Sequence, residues 1–317
     1  MGRLDTGSRS RTLTSLALEI QPRSNGAEWF NSGKIQNDDG RKDDEFDVPY
    51  DKLILAPGSE VNTFGTPGVY ENCLFMKSVA DAMALRERIL DYFELASLPT
   101  HSLQRKKEIL HFVIVGGGPT RVELAAEIDE LVQDHLFGVY KELEGLVTVS
   151  VYDIADRMLG SFGERLSEYA MERFRRRDVK ICMEKHIERF ESWIMKVKED
   201  GDVRFGLAVW YTGNKAGEVV ESLDVKKNDG GQRLLTDKYL RVLKNEKDGD
   251  VVDGIYALGD AADIEGAELP TTAEVAVQKA KWLAQHIIAN EEEEPFVYKK
   301  KAVVAYIGRQ DGVVEGK

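Results

Sequence analysis

The residues whose types and spacing suggest chemistry lie between His111 and Glu127, which read His-Phe-Val-Ile-Val-Gly-Gly-Gly-Pro-Thr-Arg-Val-Glu-Leu-Ala-Ala-Glu. Gly116, Gly117 and Gly118 follow the apolar run Phe112 to Val115, which has the pattern of a strand buried on both faces of a parallel sheet. Gly116 lets the chain turn sharply, and Gly118 has no Cβ to hold a pyrophosphate away from the backbone amides. Pro119 suits the first position of a helix and Thr120 follows it. Val122, Ala125, Ala126 and Asp129 then mark a helix whose positive N-terminal end faces the loop, so the segment is predicted to cradle phosphates. A second strand, Val147 to Val151, leads to Asp153, where a dinucleotide fold places the carboxylate that binds a ribose 2′-hydroxyl. The interval is about ten residues longer than the usual 20 or so, and a long helix through Tyr140 to Leu143 is expected to absorb the excess. A carboxylate there repels a 2′-phosphate, so the expected ligand is NADH rather than NADPH. A methyltransferase loop would want an acid before its first glycine, and Val115 stands there.

Arg121 departs from the G-x-G-x-x-G/A pattern, because it occupies the position of the third small residue. Its side chain must swing outward, or overpacking would cost roughly 1 to 3 kcal/mol. Replacement of Arg121 by glycine is expected to tighten NADH binding.

The elements that position these residues belong to a chain of 317 residues, long enough for two domains with their own cores. A net charge of -13 argues against nucleic acid, whose binding depends on Lys and Arg neutralising phosphates. Cys73 and Cys182 have no metal-ligand spacing and are expected to be reduced thiols. No apolar run reaches the length that spans a bilayer. At the N-terminus, Arg3, Arg9 and Arg11 among serines and threonines have the composition of a transit peptide, against which Asp5 and Glu19 count. Gly2 with Thr6 fits a loose myristoylation pattern.

Residues 33 to 47 are charged and read as a surface hairpin or excursion. Leu53 to Leu55 is an apolar strand that stops at Ala56-Pro57-Gly58-Ser59. Helices are predicted over Ser78 to Ala96 and Glu164 to Arg177, the latter with a basic end at Arg175 to Arg177 that complements the helix dipole. His186 reads as a surface residue. Phe205 to Gly213 is another buried strand ending in a glycine turn, and Leu234 to Val242 suggests a hairpin. Ile255-Tyr256-Ala257-Leu258-Gly259-Asp260 is a strand ending in Gly-Asp, ahead of a helix from about Leu269 to Ala289. Val303 to Arg309 reads as a final strand.

From Tyr50 onward these motifs, in this order, resemble the type II (alternative) NADH:quinone dehydrogenases, flavoproteins with two dinucleotide folds. The resemblance implies an α/β fold in which a Rossmann-like NADH-binding domain (77–244) is inserted in an incomplete FAD-binding domain (1–76 and 245–317). By resemblance, Gly116, Gly117 and Gly118 hold the pyrophosphate, Asp153 the ribose, and Glu123 lies by the nicotinamide. Gly213 closes the nicotinamide domain, with Tyr211 in place of the common alanine. Ala56 and Gly58 belong to the first Ala-x-Gly segment, Gly259 and Asp260 hold the FAD ribitol, and Gln278 faces the quinone while Glu274 replaces a glutamine. The implied cofactors are FAD and NADH and the implied partner is a quinone. The implied place is the mitochondrial inner membrane, held peripherally, with a homodimer compatible.

The family's own first glycine loop and its C-terminal amphipathic region have no counterpart here. The chain is therefore expected to be truncated at both ends, and soluble if it is really this short. Three functions follow: a working NADH:ubiquinone oxidoreductase that pumps no protons, an NADH-binding remnant without flavin or catalysis, and a soluble flavin reductase of another acceptor.

Overall fold

The computed structural model describes residues 19–22, 29–35, 44–160, 162–245, 249–289 and 294–316. Two compact units emerge, one formed by Met1–Glu60 with Asn214–Lys299 and the other by Val61–Gly213 with Lys300–Lys317. The changeovers therefore fall at 60/61, 213/214 and 299/300, away from the expected 76/77 and 244/245. Packing explains the shift. Ala216, Val220, Leu234 and Val242 bury in the same core as Leu55 and Ile255. Ala305, Ile307 and Val313 bury instead with the glycine-loop helix residues Val122, Ala125 and Ala126.

The unit containing the glycine loop is built on a parallel sheet whose strands run in the spatial order Leu207–Trp210, His111–Val115, Thr148–Tyr152 and Lys180–Cys182. Ile114 stands opposite Val151 on one side and Val209 on the other. Sequence order therefore reverses at His111–Val115, and α/β sheets take ligands at the carboxyl ends of the strands beside such a switch. Both inner strands are buried almost throughout, which accounts for the apolar run Phe112–Val115; in Thr148–Tyr152 the buried Ser150 hydroxyl is satisfied by His111. A three-stranded antiparallel sheet, Ile187–Glu191, Ile194–Val197 and Gly201–Arg204, completes the unit with the hairpin Val303–Gly308 and Asp311–Glu315. The helix Val79–Ser97 starts at a capping box. Asp81 N–H donates to the Ser78 hydroxyl, and Ser78 N–H donates to the Asp81 carboxylate at 2.8 Å.

The long helix expected to end near Leu143 is broken. The α-helix covers Pro119–Glu130, a π-helical stretch Leu131–Leu136 continues it, and Lys141–Leu143 is a separate 3₁₀ turn.

The other unit holds a five-stranded mixed sheet in the order Ala262–Ile264, Leu234–Thr236, Arg241–Leu243, Val251–Ala257 and Leu53–Leu55. It also holds an antiparallel sheet of Glu19–Pro22, Trp29–Ile35 and Asp44–Tyr50. The charged segment read as a hairpin therefore contains paired strands, with Gly33 opposite Phe46. The helix Ala273–Ala289 buries Val275 and Leu283. The transit-peptide and myristoylation readings at Gly2 to Thr14 fall outside the described residues.

Candidate functional site

The glycine turn forms as the sequence dictates. Gly116 sits at a φ of 117°, open to glycine and strained for other residues, and its N–H donates to the Tyr152 carbonyl at 2.7 Å. Gly118 is the N-cap of the helix Pro119–Glu130, with no side chain to satisfy the first-turn amides. Pro119 has no N–H, and the amides of Arg121 and Val122 donate to the Gly118 carbonyl at 3.0 and 3.1 Å, so the amides of Gly118 and Thr120 are the donors left for an anion. Val122, Ala125 and Ala126 are fully buried, so helix and strand pack closely despite Arg121.

Arg121 does not swing outward. It folds back across the loop, and its Nε donates to the Tyr211 carbonyl while its guanidinium carbon lies 4.9 Å from the Tyr211 ring centroid. A Cβ placed on Gly118 would meet Arg121 Nη1 at 2.6 Å, and one on Gly116 would meet Nε at 3.0 Å. Burial lowers the arginine's pKa, with Tyr211 and Asp153 acting in the opposite sense.

Asp153 is turned toward the same corner. Its Oδ2 accepts from Gly117 N–H, and its Oδ1 accepts from Ala155 N–H at 2.8 Å. It also borders a cavity of about 330 Å³ with Phe64, Tyr152, Ile154, His186 and Trp210. His186 is exposed, in keeping with its reading as a surface residue, and it also borders the cavity that Asp153 lines; its Nδ1 lies 2.7 Å from Glu199. Lys185 borders the cavity as well. The signal for both was available: they follow Lys180–Cys182, the strand paired in parallel with the one that ends at Asp153.

Gly213 adopts a φ of 69°, and a Cβ there would strike the Phe64 ring at 2.5 Å. Thr120 is exposed at the outer rim. Glu123 lies along another face of the helix, where its Oε1 accepts from Tyr306 N–H at 3.2 Å. There it borders a mainly apolar cavity of about 750 Å³ with Met76, Leu85 and Ile89. A still larger cavity, about 810 Å³, lies beside Asp129 and the edge strand and includes none of the glycine-loop residues.

In the other unit the second set of expected residues comes together. Leu53–Leu55 and Val251–Ala257 pair in parallel, with Leu55 opposite Ala257, and Leu258 N–H donates to the Leu55 carbonyl at 3.0 Å. Two distant segments therefore end side by side, which brings Ala56 and Gly58 next to Gly259 and Asp260. Ser59 Oγ reaches Asp260 Oδ2 at 3.5 Å. Gly58 and Gly259 have φ values of 75° and 77°, and a Cβ on either would meet nothing within 4 Å. That open space beside a carboxylate fits a polyhydroxylated chain such as the ribityl arm of a flavin.

Gln278 is more constrained than the sequence suggested. Its amide donates to the Lys299 carbonyl at 2.9 Å and to Glu274 at 2.6 Å, and its oxygen accepts from Lys299 N–H at 3.0 Å. On the same helix Lys279 is 1% exposed, and burial lowers its pKa. Its burial was not legible from the amino-acid pattern.

The chain matches the family model for pyridine nucleotide-disulphide oxidoreductases over residues 9–280. It is 37% identical over 273 residues to the external alternative NAD(P)H-ubiquinone oxidoreductase B2 of Arabidopsis thaliana mitochondria, covering 84% of this chain and 45% of that protein. A probable NADH dehydrogenase of Dictyostelium discoideum is 31% identical over 278 residues, covering 85% and 59%. The chain thus spans less than half the length of the Arabidopsis relative. In fold it is similar to NDH2 from Plasmodium falciparum solved with NADH, with a TM-score of 0.79 at 20% identity over 91% of this chain and 73% of that one. The glycine turn, the Gly-Asp turn and the matched span agree, and the chain belongs to the pyridine nucleotide-disulphide oxidoreductase family.

Proposed function

We propose that the protein is a type II NADH:quinone oxidoreductase, which takes hydride from NADH and reduces a quinone without pumping protons. The observation that carries this reading is the glycine turn Gly116–Gly118, set at the topological switch of a parallel sheet with the Asp153 carboxylate beside it. The amides of Gly118 and Thr120 and the positive end of the helix bind the pyrophosphate. Asp153, already oriented by the amides of Gly117 and Ala155, has lone pairs left to accept from a ribose hydroxyl. The apolar walls supplied by Phe64, Ile154 and Trp210 suit an adenine ring and exclude water from it.

Ala56, Gly58, Gly259 and Asp260 would hold the sugar-alcohol arm of FAD, with the Asp260 carboxylate accepting from its hydroxyls. A bound flavin supplies the relay that accepts two electrons from a nicotinamide and passes them to a quinone. Mitochondrial relatives support a mitochondrial site of action, and we place the protein peripherally at the inner membrane.

A second reading, a flavin reductase with another acceptor, draws support from Gln278. Its amide is taken up by Lys299 and Glu274, which leaves less of it to meet a quinone. The test is anaerobic mixing of the FAD-reconstituted protein with NADH. The flavin absorbance is expected to bleach and to return on addition of a short-chain ubiquinone. Bleaching with return only on a water-soluble acceptor would select the second reading, and a flavin that NADH leaves oxidised would overturn both.

A further inference from the structure

Two residues that break the family's sequence pattern meet in space. Arg121 stands where a small residue is expected and Tyr211 where an alanine is expected, 90 positions apart. They join through the Arg121 Nε bond to the Tyr211 carbonyl and the stacking of guanidinium on ring at 4.9 Å. Lys77 Nζ approaches the same ring at 5.6 Å from its centroid.

We infer that Arg121 and Tyr211 form a latch over the phosphate cradle, which must open before a dinucleotide binds and so sets its affinity. This rests on the NADH reading above. The guanidinium lies where the missing side chains of Gly116 and Gly118 would lie, at 3.0 and 2.6 Å from their Cβ positions. Gly118 is the position whose missing Cβ lets the backbone approach a pyrophosphate, and Gly116 makes the turn beside it. Arginine and phosphate compete for one volume, and the arginine is held there by a hydrogen bond and a ring. A ligand that needs the open form binds with its intrinsic affinity multiplied by the open fraction. When the latch opens, the guanidinium retracts toward solvent, where water and salt screen its attraction for the phosphates. Release of the latch therefore outweighs loss of the positive charge.

The test is calorimetric titration of NADH into the full chain and four variants, each checked for an unchanged melting temperature. Arg121→Ala is expected to lower Kd about tenfold, the effect of a latch open roughly a tenth of the time. Arg121→Lys keeps the charge but has neither the planar fork nor the Nε–H, and it should also tighten binding. Tyr211→Ala should tighten binding by a smaller factor because the backbone carbonyl remains, and Tyr211→Phe should match the wild type. Wild-type binding that is saturable but unchanged or weakened in Arg121→Ala would overturn the latch and leave the NADH reading intact. Weakening would instead make Arg121 a phosphate ligand. Absence of binding in the wild type and all four variants would overturn the latch together with the NADH reading.

Discussion

Gly206, at the end of the parallel sheet away from the glycine turn, shows how little room single residues have where the strands begin. It precedes the strand Leu207–Trp210, and its N–H donates to the His111 carbonyl at 2.9 Å. A Cβ added there would lie 1.8 Å from the Ile109 carbonyl oxygen, a backbone atom that cannot turn aside. Gly206→Ala is therefore expected to destabilise the fold by about 3 kcal/mol or more, read as a lowered denaturation midpoint. A midpoint within experimental error of the wild type would show that the strands separate without cost. Local sequence was enough to identify Gly116 to Gly118, because strand, turn and helix cap lie within a dozen positions. It was not enough for Arg121, whose partner is far along the chain, nor for Gln278, whose amide is taken by the backbone of Lys299. Side chains with free torsions find partners that only the folded chain supplies.

At the level of elements, His111 ties three strands at the foot of the glycine-loop strand. Its Nδ1 lies 2.7 Å from the Arg204 carbonyl and must donate to it, so in the neutral ring Nε2 accepts from the Ser150 hydroxyl at 2.7 Å. Burial lowers its pKa, opposed by the bond to Arg204 and aided by Lys180. The unfolded chain therefore binds this proton more readily than the folded one. The stabilising contribution is complete above the unfolded value of about 6.5 and is lost as the pH falls from there toward the folded value. In urea titrations from pH 8 to pH 5, His111→Gln is expected to show less loss of stability over this range than the wild type. An equal loss in both would assign the acid sensitivity elsewhere.

The positions of the inner strands were legible from the apolar run Phe112–Val115 and from the valines at every second residue of Val147–Val151, and the hairpin Leu234–Thr236 with Arg241–Leu243 was legible from its turn. The break at Leu131–Leu136 was not, since its buried residues Val132 and Leu136 stand four apart, a spacing that suits an α-helix as well as the π-helical turn that forms.

Over the whole molecule, each unit ends parallel strands in glycine turns, one set proposed to take a pyrophosphate and the other a flavin's sugar-alcohol arm. The sequence located both sets but not the changeovers between units, because these depend on which core takes up residues 214–243 and 303–313. The central claim is that the backbone amides of Gly118 and Thr120, at the start of the helix, hold the linked phosphates of NADH. Gly118→Ala in the Arg121→Ala background tests it most directly, since the φ of -75° suits alanine and the arginine that the new methyl would push from the latch is already gone. Titration calorimetry with NADH is expected to give saturable binding for the wild type and a Kd at least about tenfold higher for the double variant than for Arg121→Ala, roughly 1.4 kcal/mol, at an unchanged melting temperature. Equal affinities, or no wild-type binding at all, would contradict the account.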